Sequence, residues 1–164
     1  MRPIPDPIGP GQRSVWDFPR PPALEPESRP IRVVVAGRTI AQTTRAWKVL
    51  ETSHPPTYYL PHAALDQEVF VPTVKRSFCE WKGRAAYFDL VVDGKRIQAA
   101  AWTYPDPTAP FAAIANHVAM YAWAVDEVWV GEELARPQPG GFYGGWVTND
   151  VVGPFKGQPG TEWW

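Results

Sequence analysis

From residue 31 onward, apolar residues come in short β-rich runs separated by polar or glycine-containing stretches, which is typical of β-strands. In "IRVVVAGRTIAQT", two β-rich runs flank Ala36-Gly37. We interpret this stretch as a hairpin, because Gly37 can adopt the positive φ that a tight turn needs. In "RAWKVLET", a strand would place Trp47, Val49 and Glu51 on one face. These segments predict a mainly β domain.

The strongest local signal is the hairpin in "AAYFDLVVDGKRIQAAAW". Asp93-Gly94 separates two β-rich runs, and this pair favours a type I′ turn, in which both central residues have positive φ. A two-residue turn also places Tyr87 and Trp102 on the same face of the hairpin. The predicted cross-strand pairs are Val92 with Lys95, Leu90 with Ile97, Phe88 with Ala99, and Ala86 with Ala101.

Only "DPTAPFAAIANHVAMYAW" has helical character. Phe111, Ile114, Val118 and Tyr121 follow 3-4-3 spacing and would form one apolar face. The end of the stretch, "HVAMYAW", suits a strand equally well because its apolar run is short and aromatic. We predict a short helix near 109–116 followed by a strand.

Proline and glycine set the two ends of the chain apart from the domain at 31–135. Residues 1–30 contain nine prolines, which exclude regular helix and central strand. This arm is either a disordered tail or an extended segment that Trp16 and Phe18 hold on the domain surface. Residues 136–164 are rich in Gly and Pro but carry six aromatic residues. We expect this extension to pack on the core or on a partner chain, because so many exposed aromatic side chains would form an interaction patch.

Composition narrows the functional classes. The 164 residues suffice for one domain, and 16 basic against 17 acidic residues give no excess of positive charge for a nucleic-acid backbone. The sequence has no apolar run of about 18 residues, and its first residues lack the apolar core of a secretory signal. A single cysteine excludes an internal disulfide and a zinc site built from several cysteines. We therefore expect a cytoplasmic protein without nucleic-acid or membrane partners.

The order of these segments resembles the domain of unknown function 427 family. The C-terminal "GGFYGGWVTNDVVGPFKGQPGT" is similar to an extension that some members carry, and Glu80 stands where the family usually has proline. The resemblance implies a β-tent fold, in which two antiparallel sheets lean together. Many β-tent relatives also have a four-cysteine zinc site, which a chain with only Cys79 cannot form. A nucleotidyltransferase label is sometimes attached to the family, but the sequence has no Gly-Ser followed by an Asp-x-Asp pair to hold metal ions. The matching elements are "RVVVAGRTIAQTTRAWKVLE", "PPTYYLP", "SFCEWKGRAAYFDL", "AAWTYPDP" and "HVAMYAWAV".

The segment "SFCEWKG" carries the first candidate chemistry. Cys79 could be a nucleophile if a cation such as Lys82 reaches its sulfur, or it could be a small buried apolar residue, as free cysteines often are. Lys82-Gly83 could bind an anion, or Lys82 could be an exposed lysine at a turn whose glycine provides the positive φ.

Glu51 and several aromatic residues are further candidates. Glu51 could act as a general base beside tyrosine hydroxyls, or accept structural hydrogen bonds at a strand end. Tyr59, Trp102 and Tyr104 could line an aromatic pocket, or pack within the core. The three histidines fit no metal-ligand spacing, so we expect neither a metal nor a cofactor.

Three functional hypotheses follow. The first is a small-molecule-binding domain whose pocket contains Tyr59, Trp102 and Tyr104, with Lys82 and Glu51 as polar anchors. The second is an enzyme that uses the same pocket for acid/base or thiol chemistry. The third is a module that self-associates through its aromatic extension into a homo-oligomer.

Overall fold

The computed structural model describes residues 2–164 and confirms a mainly β protein built largely from antiparallel sheets. Within residues 2–164, no helix has both the length and the hydrophobicity that crossing a membrane requires. The helical segments are short 3-10 helices at Val15–Asp17, His62–Ala64, Ala109–Ile114 and Ala122–Ala124. The strands are β1 (Arg13–Ser14), β2 (Ala23–Glu27), β3 (Ile31–Val35), β4 (Arg38–Thr43), β5 (Ala46–Leu50), β6 (Thr57–Tyr59), β7 (Phe70–Cys79), β8 (Gly83–Val92), β9 (Lys95–Thr103), β10 (Val118–Met120), β11 (Glu127–Val130), β12 (Glu133–Leu134), β13 (Arg136–Pro137), β14 (Trp146–Val147) and β15 (Val151–Val152).

Three antiparallel sheets form the domain. Two have four strands, in the orders β10-β9-β8-β7 and β12-β11-β3-β4, and the third has the order β2-β5-β6. The predicted first hairpin is confirmed, since β3 and β4 pair across Ala36-Gly37 and both turn residues have positive φ. Strand β2 lies at the edge of its sheet. Its Pro26 has no backbone N–H to donate, and an edge strand tolerates this because one of its sides has no neighbouring strand.

The Asp93-Gly94 hairpin is confirmed, but part of its predicted register is wrong. The pairs Val92 with Lys95 and Leu90 with Ile97 are as predicted. Beyond them the register shifts, so that Phe88 pairs with Ala101 instead of Ala99, and Ala86 pairs with Thr103 instead of Ala101. The cause is an irregularity in β9 at Ala99, whose φ is +48° and whose N–H donates to Asp89 Oδ1 at 2.8 Å.

The short helix predicted near 109–116 is the 3-10 helix Ala109–Ile114, and strand β10 follows it as predicted. Proline at its start and four alanines in "APFAAIA" give a helix that buries only Phe111 and Ile114. These two side chains pack in an apolar cluster beneath β9, together with Tyr59, Trp102 and Tyr104.

A second and larger core lies between the two four-stranded sheets. It contains Ile31 and Val33 from β3, Leu90 from β8 and Met120 from β10, each with no exposed surface. Trp146 of the C-terminal extension is also fully buried in this core.

Both ends of the chain contact the domain. In the N-terminal arm, Trp16 and Phe18 are buried against Leu50. In the extension, the Trp146 ring stacks on Tyr58 with ring centroids 5.1 Å apart, and its Nε1 donates to the Met120 carbonyl at 2.9 Å. The extension thus packs on the core and, as described next, forms one wall of a cleft.

Candidate functional site

A cleft of about 1000 Å³ opens between the β7–β9 sheet, strands β5 and β6, and the C-terminal extension. The volume falls in the range of small-molecule sites, and aromatic side chains dominate the lining. Its aromatic lining residues are Tyr59, Phe78, Trp81, Tyr87, Trp102, Tyr104, Tyr121, Trp123, Phe142 and Tyr143.

Tyr59, Trp102 and Tyr104 form the floor of the cleft. Each is less than 10 % exposed, and Trp102 Nε1 donates to the Tyr59 hydroxyl at 3.3 Å. The Tyr59 and Tyr104 rings lie 6.2 Å apart. Burial raises the pKa of both hydroxyls above the ordinary tyrosine value, and the neighbouring Cys79 raises it further. Both hydroxyls therefore stay protonated at neutral pH and can donate hydrogen bonds.

Cys79 and Lys82 lie at the two ends of the turn between β7 and β8. The Lys82 Nζ donates to Cys79 Sγ at 3.4 Å. The turn closes at Gly83, whose φ is +102°. Thr108 holds the turn in place, since its hydroxyl donates to the Trp81 carbonyl at 2.6 Å and its N–H donates to the Lys82 carbonyl at 3.1 Å.

Lys82 is buried, with 8 % of its surface exposed. The alternative of an exposed lysine at a turn is therefore wrong. Within residues 2–164 its ammonium forms no ion pair with an acidic side chain. Its aromatic neighbours are Tyr104 and Phe111, whose ring centroids lie 5.6 and 5.8 Å from Nζ. Cation–π contacts of this kind partly compensate a buried ammonium.

Glu51 lies on the opposite side of the cleft, beside His54. Glu51 Oε2 accepts from Arg20 Nε at 3.2 Å and lies 3.6 Å from His54 Nε2. The Arg20 guanidinium holds this carboxylate, which matches the structural alternative for Glu51 more closely than a free general base.

The Gln138 amide of the extension fixes the tautomer of His54. Gln138 Oε1 accepts from the Gly145 N–H, so its Nε2 is the atom that donates to the Lys156 carbonyl at 2.9 Å and to His54 Nδ1 at 3.0 Å. Nδ1 is then an acceptor, and the ring proton lies on Nε2, facing Glu51. Burial lowers the pKa of His54 to about 4, so the ring is neutral at pH 7.

An aromatic ladder leads from the floor to the mouth of the cleft. The centroids of Trp102 and Tyr121 are 4.6 Å apart, and those of Tyr121 and Trp123 are 5.1 Å apart in a stacked arrangement. At the mouth, Trp123 is half exposed and Phe142 is 74 % exposed. Gly144 lies directly against the Trp102 ring and leaves no room for a side chain there.

All six candidate residues from the sequence line this one cleft. Tyr59, Trp102 and Tyr104 form its floor, Cys79 and Lys82 its turn, and Glu51 its opposite wall. Their roles in binding or catalysis stay predictions. Across the described residues, no three His, Cys, Asp or Glu side chains cluster in a way that could hold a metal ion.

Among the lining residues that sequence reasoning missed are His54, Tyr121, Gln138 and Tyr143. His54 directly precedes Pro55-Pro56, which gives a weak local signal for a fixed backbone. Gln138 has no such signal, because its contact with His54 joins positions 84 residues apart.

The sequence matches the family model described as "Domain of unknown function (DUF427)" over residues 23–131. The chain therefore belongs to this family, and the resemblance inferred from the sequence is confirmed. The match includes β2 and ends before the extension that contributes Gln138 and Phe142 to the cleft. No significant match is found among curated proteins.

Proposed function

We propose that this DUF427 protein binds a small organic anion with a planar, apolar body in the cleft. The observation that carries the proposal is Lys82, whose ammonium group is buried in the turn beside the cleft floor and has no acidic partner within residues 2–164. The proposal is more specific than the small-molecule pocket expected from the sequence, because it assigns a charge to the ligand.

Burial of an unpaired charge is costly, and proteins usually compensate it with an opposite charge or with several hydrogen bonds. Here the sulfur of Cys79 accepts one Lys82 N–H, and two aromatic rings face Nζ. An ammonium group has three donors, so this environment leaves hydrogen-bonding capacity for a ligand. A carboxylate would supply both the charge and the acceptors.

The rest of the cleft suits the apolar part of such a ligand. The Trp102, Tyr121 and Trp123 rings offer flat surfaces for stacking. The protonated hydroxyls of Tyr59 and Tyr104 can donate to a carbonyl or carboxylate oxygen of the ligand.

The test is a calorimetric titration with 4-oxo-4-phenylbutanoate, an aromatic keto acid, and with its neutral primary amide. We expect the acid to bind and the amide to bind at least about tenfold more weakly, which corresponds to about 1.4 kcal/mol. Lys82→Met should remove this preference. Lys95→Met is the matched control, because Lys95 is an exposed lysine at the start of β9. Equal affinity for acid and amide would overturn the proposal.

Self-association through the extension is a second candidate, supported by the exposed aromatic side chains of Phe142 and Trp163. Light scattering coupled to gel filtration tests it. A dimer that becomes monomeric in Phe142→Ser/Trp163→Ser supports the hypothesis, and a wild-type monomer at high concentration contradicts it. The cytoplasmic location and the β-tent classification stay predictions.

A further inference from the structure

We infer that Cys79 is a nucleophile that adds to planar α,β-unsaturated carbonyl compounds carrying a carboxylate. This inference rests on the proposed anion site, because the same ammonium that would bind the carboxylate contacts the sulfur. The argument uses the thiol–ammonium contact, the burial of Lys82 and the tyrosine hydroxyls of the cleft floor.

The Lys82 ammonium is placed to stabilise the Cys79 thiolate. Its Nζ donates to Sγ at 3.4 Å, which is within hydrogen-bond range for sulfur. A thiolate is the reactive form of cysteine, and nearby cations favour it over the thiol. Apolar rings surround much of this contact, which is partly buried.

The position of Cys79 also makes its sulfur accessible from the cleft. Cys79 is only partly buried and lines the cleft at the end of β7. Lys82, by contrast, is nine-tenths buried and lines the same cleft without an acidic partner in residues 2–164. Because Cys79 accepts only one of the three Lys82 N–H donors, the ammonium keeps donors for an anionic ligand beside the thiol.

The addition also needs a hydrogen-bond donor for the ketone oxygen of the ligand, which becomes negative when the thiolate attacks. Tyr59 and Tyr104 provide such donors. Cys79 packs against the apolar cluster that contains both tyrosines, and burial keeps both hydroxyls protonated at neutral pH. The Tyr59 oxygen already accepts from Trp102 Nε1, which leaves its own proton free to be donated. Donors aimed at a developing oxyanion lower the barrier to its formation.

The step balances without any further reactant. The Cys79 sulfur forms a bond to the alkene carbon that is β to the ketone, and the π bond of the alkene breaks. The electron pair moves toward the ketone oxygen and gives an enolate, which a tyrosine hydroxyl stabilises. The thiol releases its proton to water when it ionises beside the Lys82 ammonium. After the attack, the ammonium passes one of its own protons to the α-carbon, and water returns a proton to the lysine amine, so protons and charge balance. The product is a thioether, and nothing is oxidised or reduced.

The experiment measures covalent labelling by intact-mass spectrometry with (E)-4-oxo-4-phenylbut-2-enoate, the unsaturated partner of the keto acid above. We expect one added probe per chain, none in Cys79→Ser, and a second-order rate at neutral pH at least about tenfold above that of glutathione. The neutral primary amide of the probe should lose most of this advantage over glutathione. A wild-type rate at or below that of glutathione overturns the inference.

Lysine variants test the source of the reactivity. Lys82→Met should reduce the labelling rate to that of glutathione or lower, whereas Lys82→Arg keeps the charge and should retain part of the advantage. Thermal melting checks that both variants fold. If Lys82→Met does not fold, the ratio of the wild-type labelling rates with the acid and with its amide tests the role of the ammonium instead. A rate that Lys82→Met leaves unchanged contradicts the inference.

The saturated keto acid separates this inference from the proposed function. Suppose that the saturated acid binds with the expected dependence on Lys82, but the unsaturated acid reacts with the protein no faster than with glutathione. Cys79 is then not a nucleophile, and the anion site stands. If neither binding nor labelling depends on Lys82, both proposals fail.

Discussion

Acidification should destabilise this protein through His54, whose neutral ring joins the C-terminal extension to the core. Its side chain is only 12 % exposed, and its Nδ1 accepts a hydrogen bond from Gln138. Protonation would place a second donor on Nδ1, facing the Gln138 amide N–H₂. The folded state therefore resists protonation of His54 until the pH is far below the ordinary histidine pKa.

The size of the effect follows from the two pKa values. Burial, opposed in part by Glu51, lowers the pKa of His54 from 6.5 to about 4 in the folded protein. Between these values the unfolded chain binds the proton and the folded chain does not, so the free energy of unfolding falls as the pH falls. The full loss is roughly 3 kcal/mol, since each pKa unit is worth about 1.36 kcal/mol. The contribution of His54 is complete above pH 6.5 and is lost on the way down to about pH 4.

Urea denaturation followed by tryptophan fluorescence, repeated from neutral pH downward, measures this loss. His54→Gln is the matched variant, because it keeps a polar side chain that does not titrate in this range. We expect the wild type to lose roughly 3 kcal/mol more than His54→Gln as the pH falls to about 4. Other titrating groups act on both proteins and cancel in the comparison. The same pH dependence in both would refute the reasoning.

Three further predictions concern stability and use urea denaturation at neutral pH. Trp146→Ala should cost about 3–5 kcal/mol, because it empties a fully buried site in the main core; a loss below about 1 kcal/mol would contradict this packing. Gly140→Ala should destabilise the protein more than Gly141→Ala, because both residues have positive φ but only at Gly140 would the new Cβ overlap a backbone carbonyl; equal losses would contradict the close approach. Asp89→Ala should cost about 1–3 kcal/mol, since it leaves the Ala99 N–H without its acceptor; an unchanged midpoint would show that the carboxylate does not support the irregularity in β9.

The Asp93-Gly94 hairpin shows how far the fold could be predicted from the sequence. The turn and its first pairs follow from local residue preferences, because the positive φ values are needed at the turn itself. The register beyond Leu90 could not be predicted, since an alanine at +48° has no sequence signature. That conformation depends on the Asp89 carboxylate of the neighbouring strand.

The candidate site likewise has a part that could be predicted from the sequence and a part that could not. Cys79 and Lys82 are three positions apart, so a tight turn brings them together whatever the rest of the fold does. The Trp102 face was predictable from strand alternation, and it is shared with Tyr87 as expected. The contact of Gln138 with His54 depends on how the extension crosses the domain, which no local pattern encodes.

The two sides of the cleft come from different parts of the chain. Cys79, Lys82 and Trp102 lie inside the 23–131 segment that defines the family, whereas Gln138, Phe142 and Tyr143 lie outside it. A change at Phe142 or Tyr143 can thus reshape the mouth, whereas a change at Gly144 reaches the Trp102 ring of the floor and a change at Trp146 reaches the core. Under the proposed function, ligand selectivity would follow residues 142–143 and reactive chemistry would follow the family domain, so exchanging these two residues between family members would change the first and preserve the second.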